Sequence, residues 1–584
     1  MKRILAAIIA VLAAGVLALG IPEKVEAPVG QVAQYNAEAP KTVIELQQFR
    51  QTSSIHARFG GNIEGTATLV NLNPVSNAWF LLTLTWNDPS RGGAQETVWH
   101  LENPKPREAR IVLDEKYPSG VVIADGSNRS PCDLFQALEQ GRTSQQIYYP
   151  LCQGRLYLRN PAKGARTALE AATEFLRNQV WGGEEVIDIF HHLLEDRYRE
   201  TGELQAGKAS ANGGNPAGGP LAAQIAPENA TRLVAPIGMG VTLESQSAAK
   251  SGMTPGAWYP AAGNPGVYLS VLQPNLVDPA ILHSYPKLVG SLDSVELSSL
   301  CYLIAFDVDR FELGYSLGTS FPEVDWSTRV LPAMKNPALP GPDGIGTIAP
   351  LISTGLIAPE DGRRTVASFT GGFKREHGAF RYGELASKNH GSHYGFIQNG
   401  VVLSKLQPGL ATVLVLDDGT LQMKTWQDAD NRLLARVRYA RQNGVPLVEF
   451  DDTAQATAPG RFVNLWGPGN WSGSENDKLR TIRAALGMQT NHNKRFLIYA
   501  VFSDATPSAM ARVLQAYRLD YGMLSDMNAL EHTYLAVYRR SGNDLSVEHL
   551  LTGMSVLDKS AAGQVVPRFL GYPDNRDFFY VMRR

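Results

Sequence analysis

Cysteine is scarce in this chain of 584 residues: Cys132, Cys152 and Cys301 are all it has. Cys132 and Cys152 lack the companion spacing of a zinc site, and no His/Asp/Glu cluster has ligand spacing, so no metal or other cofactor is expected; dependence on a divalent cation stays open. An excess of charge is missing too. Lys and Arg number 54 against 56 Asp and Glu, a formal net charge of -2. Bulk electrostatics therefore gives no basis for nucleic-acid binding, and no nucleic-acid partner is expected. Long apolar runs are limited to one, Ile4 to Ile21. Any contact with a membrane is expected through that N-terminal segment alone.

That segment follows Lys2 and Arg3, a short basic region, and reads as a secretory signal. Cleavage fits after Gly20 or after Ala27, with Pro28 disfavouring the second site. An uncleaved anchor also fits, because the run reaches the lower limit for spanning a bilayer. Residues 1–27 are thus a signal peptide or N-terminal anchor, and the rest is expected to be exported, periplasmic or extracellular. In that compartment Cys132 and Cys152 are a disulfide candidate. Cys301 lies in the apolar run Leu300–Ile304 and reads as a buried thiol.

Hydrophobic residues make up 44% and charged residues 19%, the balance of a folded globular protein. With 55 Gly and 35 Pro, turns are many and a β-rich fold with long loops is expected. The length calls for two or three domains. Residues 41–160 read as a β-sandwich-like module, with strands over Thr66–Val70, Trp79–Trp86, Val98–Leu101 and Ala109–Leu113. Its tryptophans are core residues or sugar-stacking platforms. Residues 165–204 read as a helical segment, and 205–231, rich in Gly, Ala, Pro, Asn and Ser, as a flexible linker. Residues 257–584 form the last domain, so the fold class is α+β with a mixed sheet at the C-terminus.

In that domain Asn399-Gly400 and Asp417-Asp418-Gly419 each mark a hairpin. Helices are expected over Arg432–Gln442 and Asn476–Leu486. Thr506-Pro507 opens another, whose Met510, Val513, Leu514 and Tyr517 form one stripe. It sits between the strands Phe496–Val501 and Met523–Asn528, a strand–helix–strand unit.

The stretch Val366–Gly395 carries the chemistry. A buried-looking run leads into Gly371-Gly372-Phe373, and His377 and His393 follow in Gly-rich segments. Paired glycines let a backbone or a ligand approach closely. SFTGGF, the later HYG and NGVVL, then Arg441-Gln442-Asn443, RFLIYAVFSDATPSAMARVLQAY, GMLSDMNALEHTYLAVY and Arg576–Tyr580 resemble, in order, the phosphodiester glycosidase domain family, which includes the enzyme that uncovers mannose 6-phosphate signals. The resemblance covers roughly Val267 to Arg584. It implies a hydrolase that removes a sugar from a sugar-1-phosphodiester, with an envelope or extracellular glycan as substrate. Asp526 matches the aspartate of the family's Leu-Asp motif, with Ser525 in place of the leucine, and Asn528 a polar position two residues on. His393 matches the family's HYG segment. The family commonly has Asn before Gly-Gly-Phe, where this chain has Thr370, which lacks the amide donor.

Glycosidic cleavage uses two carboxyl groups. Asp526 is the first candidate and Glu449 the second, with His393 as an acid–base group. Thr370, Gly371, Gly372, Lys374, His377, Arg441 and Asn528 are the expected substrate-binding residues. Arg441 and Lys374 are suited to one phosphodiester charge, and the backbone N–H groups around Gly371-Gly372 to its oxygens. A non-catalytic glycan-binding envelope protein is the alternative, motivated by Thr370 and the tryptophan-rich first module.

Overall fold

The computed structural model describes residues 44, 47–59, 63–167, 204–206, 215–245, 248, 251–319, 321, 351–374, 395–464, 480–542 and 544–584. The apolar N-terminal run, nearly all of the predicted helical segment, His377 and His393 lie outside them. Among the described residues no helix is long and apolar enough to cross a membrane.

Period-two alternation builds the first module. In Ile63–Asn71, Ala67 and Leu69 are buried between the more exposed Thr66, Thr68 and Val70. This strand joins Gln51–Phe59, Trp79–Asp88, Gly93–Glu102, Leu156–Arg159 and Tyr148–Leu151 in a six-stranded antiparallel sheet. A three-stranded sheet, Ala109–Val112, Gly120–Asp125 and Asn128–Asp133, shares one core with it through Leu69, Leu82, Trp99, Ile111 and Ile123. The helix Phe135–Thr143 adds Leu138 to that core. Only Phe135, Leu138 and Gly141 of this helix are buried, too short a stripe to show as periodicity. A disulfide joins Cys132 in the smaller sheet to Cys152, just past the last residue of Tyr148–Leu151.

The C-terminal part stacks three sheets. The first has eight strands in the order Tyr259–Pro260, Val267–Leu272, Cys301–Asp307, Lys494–Ala505, Thr481–Asn491, Tyr521–Met527, Pro446–Asp451 and Ala456–Pro459. The second runs Phe311–Ser316, Arg576–Arg583, Thr365–Lys374, Leu535–Ser541 and Asp544–His549. The third runs Val401–Ser404, Phe396–Gln398, Val437–Gln442, Ala411–Leu416 and Leu421–Thr425. The helix Pro507–Ala516 is buried along its whole length, and Thr506 caps it by accepting from the Ala509 N–H. At the Asn399-Gly400 hairpin both residues have positive φ, the backbone of a tight two-residue turn.

The β-rich α+β class is as expected, but four finer expectations change. Ladders within these sheets are antiparallel rather than mixed. The two strands flanking the helix Pro507–Ala516 are separated by Thr481–Asn491, which pairs antiparallel with each of them. The helix expected over Asn476–Leu486 is not found where it is described: from Thr481 on, its residues belong to the strand Thr481–Asn491. As a central strand buried on both faces it needs small residues, and tertiary packing overrides propensity. Arg432–Gln442 is not a helix either: a 3-10 helix over Asp428–Arg436 gives way to the strand Val437–Gln442.

The expected flexible linker is also held where it is described. Leu204–Ala206 pairs with Arg232–Val234. The Trp258 indole N–H donates to Leu221 O at 2.8 Å, and the Leu221 N–H donates to Gln489 at 2.7 Å. Composition shows that such a stretch cannot fill a core, yet its backbone groups still find partners.

The first module is seated on this assembly. Trp79 and Leu81 belong to the main core. Asn73 donates to Gly400 O at 3.0 Å, and Gln47 both donates to and accepts from the backbone of Val402. The Arg159 guanidinium lies 3.7 Å from the centre of the Trp79 ring and donates to Ile352 O at 3.1 Å. Ala165 bridges Asp574, and its N–H donates to Pro573 O.

The disulfide closes a separation of 20 residues across the first module. Replacing Cys132 and Cys152 together by Ala is expected to lower stability by roughly 3 kcal/mol in the chain-entropy model. The check is urea unfolding followed by tryptophan fluorescence under non-reducing conditions. A midpoint equal to that of the parent would rule out a stabilising cross-link.

Candidate functional site

The three C-terminal sheets converge where Tyr521–Met527, Arg576–Arg583, Thr365–Lys374 and Val437–Gln442 approach one another. Each strand brings a polar side chain into an otherwise apolar junction: Asp526, Arg576 with Asp577, Thr370, and Arg441. All five are buried. The pairing of Thr481–Asn491 with Tyr521–Met527 slips between Arg483 and Ala485, leaving a bulge around Ser525 and Asp526. A bulge re-aims side chains and is common beside functional sites. Asn443 secures it by donating to Leu524 O at 2.8 Å and Ser525 O at 2.7 Å. Ser525 Oγ in turn donates to Thr370 O at 3.0 Å.

Two aspartate–arginine pairs result. Arg576 Nη1 donates to Asp526 Oδ2 at 2.8 Å, and Arg441 Nε to Asp577 Oδ2 at 2.5 Å. Tyr315 also donates to Asp577 Oδ2, at 3.1 Å, and the Arg441 guanidinium lies 4.4 Å from the centre of the Phe396 ring. Gly372 makes room for that guanidinium: a Cβ there would collide with Arg441 Nη2. Burial pushes the Asp526 carboxyl up to about 7, against the pull of Arg576 and Arg441 and with a push from Asp577. Burial also raises Asp577, opposed by Arg441.

His532 completes the cluster. Its Nδ1 lies 2.5 Å from Met527 O, which can only accept, so Nδ1 carries the proton. Its Nε2 lies 2.6 Å from Arg576 Nη2, which can only donate, so Nε2 is the bare nitrogen. The neutral ring therefore holds one edge of Arg576 while Asp526 holds another. Thr370 Oγ1 donates to His532 O at 2.6 Å and is 3.4 Å from the Tyr499 hydroxyl. Its hydroxyl is thus committed to the backbone of the cluster.

Asp526, Arg441, Thr370, Gly371 and Gly372 are brought together as the sequence led us to expect. Gly371 lies against Asp577 and Phe579. Lys374 is the last residue of its strand, in register with Arg576. Asn528 leaves the strand with φ 79, and its N–H donates to Ile482 O at 2.9 Å. Glu449 is not part of the cluster. It pairs with Tyr521, five positions from Asp526, roughly 17 Å along a strand, and accepts from Thr425 at 2.7 Å. The second buried carboxyl is Asp577, which with Arg576, His532 and Asn443 lies in the motif segments but is not among the expected site residues. A signal exists: Arg576-Asp577 stands directly before Phe578-Phe579-Tyr580-Val581-Met582, and charges opening so apolar a strand must be paired. Among the described residues no group of three or more His, Cys, Asp or Glu could hold a metal ion.

A carboxyl titrating near 7 when folded and near 3.8 when unfolded binds an extra proton in the folded state between those values. Its contribution to stability is therefore greatest at low pH and falls as pH rises from about 4 to about 7. Relative to Asp526→Asn, the parent is expected to lose on the order of 2–4 kcal/mol across that window. Denaturant unfolding of both proteins at several pH values checks this; a difference independent of pH would contradict it.

No family model matches the chain, and no curated protein does. The comparison with solved structures includes a candidate exported protein from Burkholderia pseudomallei. It is 9% identical over 93% of this chain and 98% of its own, with a TM-score of 0.15, a likeness too slight to carry any argument about fold or function.

Proposed function

We propose that the chain is an exported, phosphodiester glycosidase-like hydrolase that releases a sugar from a sugar-1-phosphodiester of an envelope or extracellular glycan. The observation that carries this reading is the Asp526 carboxyl, buried, paired with Arg576 and held at about 7. A general acid must keep its proton near neutral pH and release it as the leaving oxygen departs. In this reading the bond between C1 of the sugar and the phosphate oxygen breaks. Asp526 supplies the proton to that oxygen. Water adds its hydroxyl to C1 and returns a proton, leaving a free sugar and a phosphomonoester. Asp577 is the second carboxyl of the cluster, and Arg441 and Arg576 supply the positive charge that suits a phosphodiester anion.

The non-catalytic glycan-binding alternative loses one of its supports. Trp79 and Trp99 of the first module are buried in cores, and Trp86 packs against Phe59. Thr370, its other motive, uses its hydroxyl within the cluster.

Purified protein incubated with a panel of aryl esters of sugar 1-phosphates is expected to release free sugar. Asp526→Asn should lower the rate by about 10²–10⁴-fold, the usual worth of a general acid. Glu449→Gln should leave it within a factor of about three, since the side chain is one strand-length away. Folded parent protein that releases no sugar from any panel member would count against the reading.

A further inference from the structure

Behind the Arg576–His532 contact lies another ion pair. Arg568 Nε and Nη2 donate to the two carboxylate oxygens of Asp574 at 2.8 and 3.1 Å, a forked pair with both side chains buried. Each partner also grips a different backbone segment. Asp574 Oδ1 accepts from the N–H of Arg576 at 2.9 Å. Arg568 Nη1 donates to the carbonyl of Glu531, the residue before His532, at 2.6 Å. The pair therefore spans the two segments whose side chains meet at His532 Nε2 and Arg576 Nη2.

Further contacts surround this pair. The Arg568 guanidinium lies 4.7 Å from the centre of the Phe569 ring and 5.4 Å from that of Tyr534. The Asp574 N–H donates to Gly355 O, and its carbonyl accepts from the Thr319 N–H, both at 2.9 Å. Ala165, at the end of the first module, bridges the same residue. A forked arginine–carboxylate pair fixes direction as well as distance.

We propose that Arg568 and Asp574 are positioning residues of the candidate site: they clamp the backbone on both sides of the Arg576–His532 contact and thereby hold the Arg576 guanidinium against Asp526. The role in turnover rests on reading Asp526 as the proton donor; the clamp itself does not. Asp526 faces Arg576 and Arg441 as cations, Asp577 as a like charge and Tyr499 as a neutral hydroxyl. Releasing Arg576 removes its nearest cation, so its protonated form should persist to higher pH.

The test uses the full chain and the infrared band of the protonated Asp526 carboxyl, identified as the band that Asp526→Asn removes. Its titration midpoint is measured in the parent, Asp574→Asn, Asp574→Ala and Arg568→Gln, beside the thermal midpoint of each. Asp574→Ala and Arg568→Gln are expected to move the titration midpoint up by one pH unit or more. Asp574→Asn, which keeps an acceptor for the Arg576 N–H but loses the charge that pairs with Arg568, should move it in the same direction by a smaller, measurable amount and secures the test if the other two fold poorly. Sugar release from the aryl sugar-phosphate panel should fall at least tenfold in kcat with KM within threefold for the two larger changes. An unmoved titration midpoint in folded variants would overturn the clamp, even with a lower thermal midpoint. A moved midpoint in a protein that releases no sugar would leave the clamp standing and sink the hydrolase reading instead.

Discussion

The junction of the C-terminal sheets depends on the ion pair between Arg576 and Asp526. Either charge alone at that depth would cost several kcal/mol, and removing one partner of a buried pair typically costs about 3–5 kcal/mol. Hydrogen bonds to both groups offset part of that cost: Met527 N–H on the carboxylate, His532 on the guanidinium. Arg441 and Asp577 form a second buried pair beside them, with Gly372 supplying the space. Strand order, the bulge at Ser525 and the glycine pair are the backbone conditions for these two pairs.

Net charge at the cluster is where structure turns into chemistry. Two aspartates against two arginines sum to zero when all are ionised. Burial raises both carboxyls, Asp526 to about 7, so desolvation works against the ionisation that pairing with Arg576 and Arg441 favours. In the proposed reading a singly charged anion is the counterpart of this site, and the setting comes from desolvation rather than from an excess of basic residues in the chain.

The sequence made some of this legible. Asn399-Gly400 and the Thr506-Pro507 helix start follow from local rules, and the structure places them as read. Thr370, Gly371, Gly372, Arg441 and Asp526 were found through ordered motifs and meet in space. Glu449 was misplaced because acidity at a strand end says nothing of which end faces the cluster. Its antiparallel pairing with Tyr521 sends it away, while Asn443, at the other end of the same segment, meets Ser525. The helix expected over Asn476–Leu486 was misread because a strand buried on both faces, here Thr481–Asn491, shows alanines where a helix would also show them. Arg568 and Asp574 carry no local signal at all, since their meaning lies in the two distant segments they join.

The strand Arg576–Arg583 sits between Phe311–Ser316 and Thr365–Lys374 in its sheet, yet it comes from far downstream of both. A nascent chain that has emerged only through Lys374 therefore has two strands with an empty lane between them. The contacts that close that lane are among the most distant in sequence, so they form late and slowly. The cluster cannot assemble on a partial chain, because Arg576 and Asp577 arrive with the strand that fills the lane. Completion of this sheet, and with it of the buried cluster, therefore waits on the last residues of the chain.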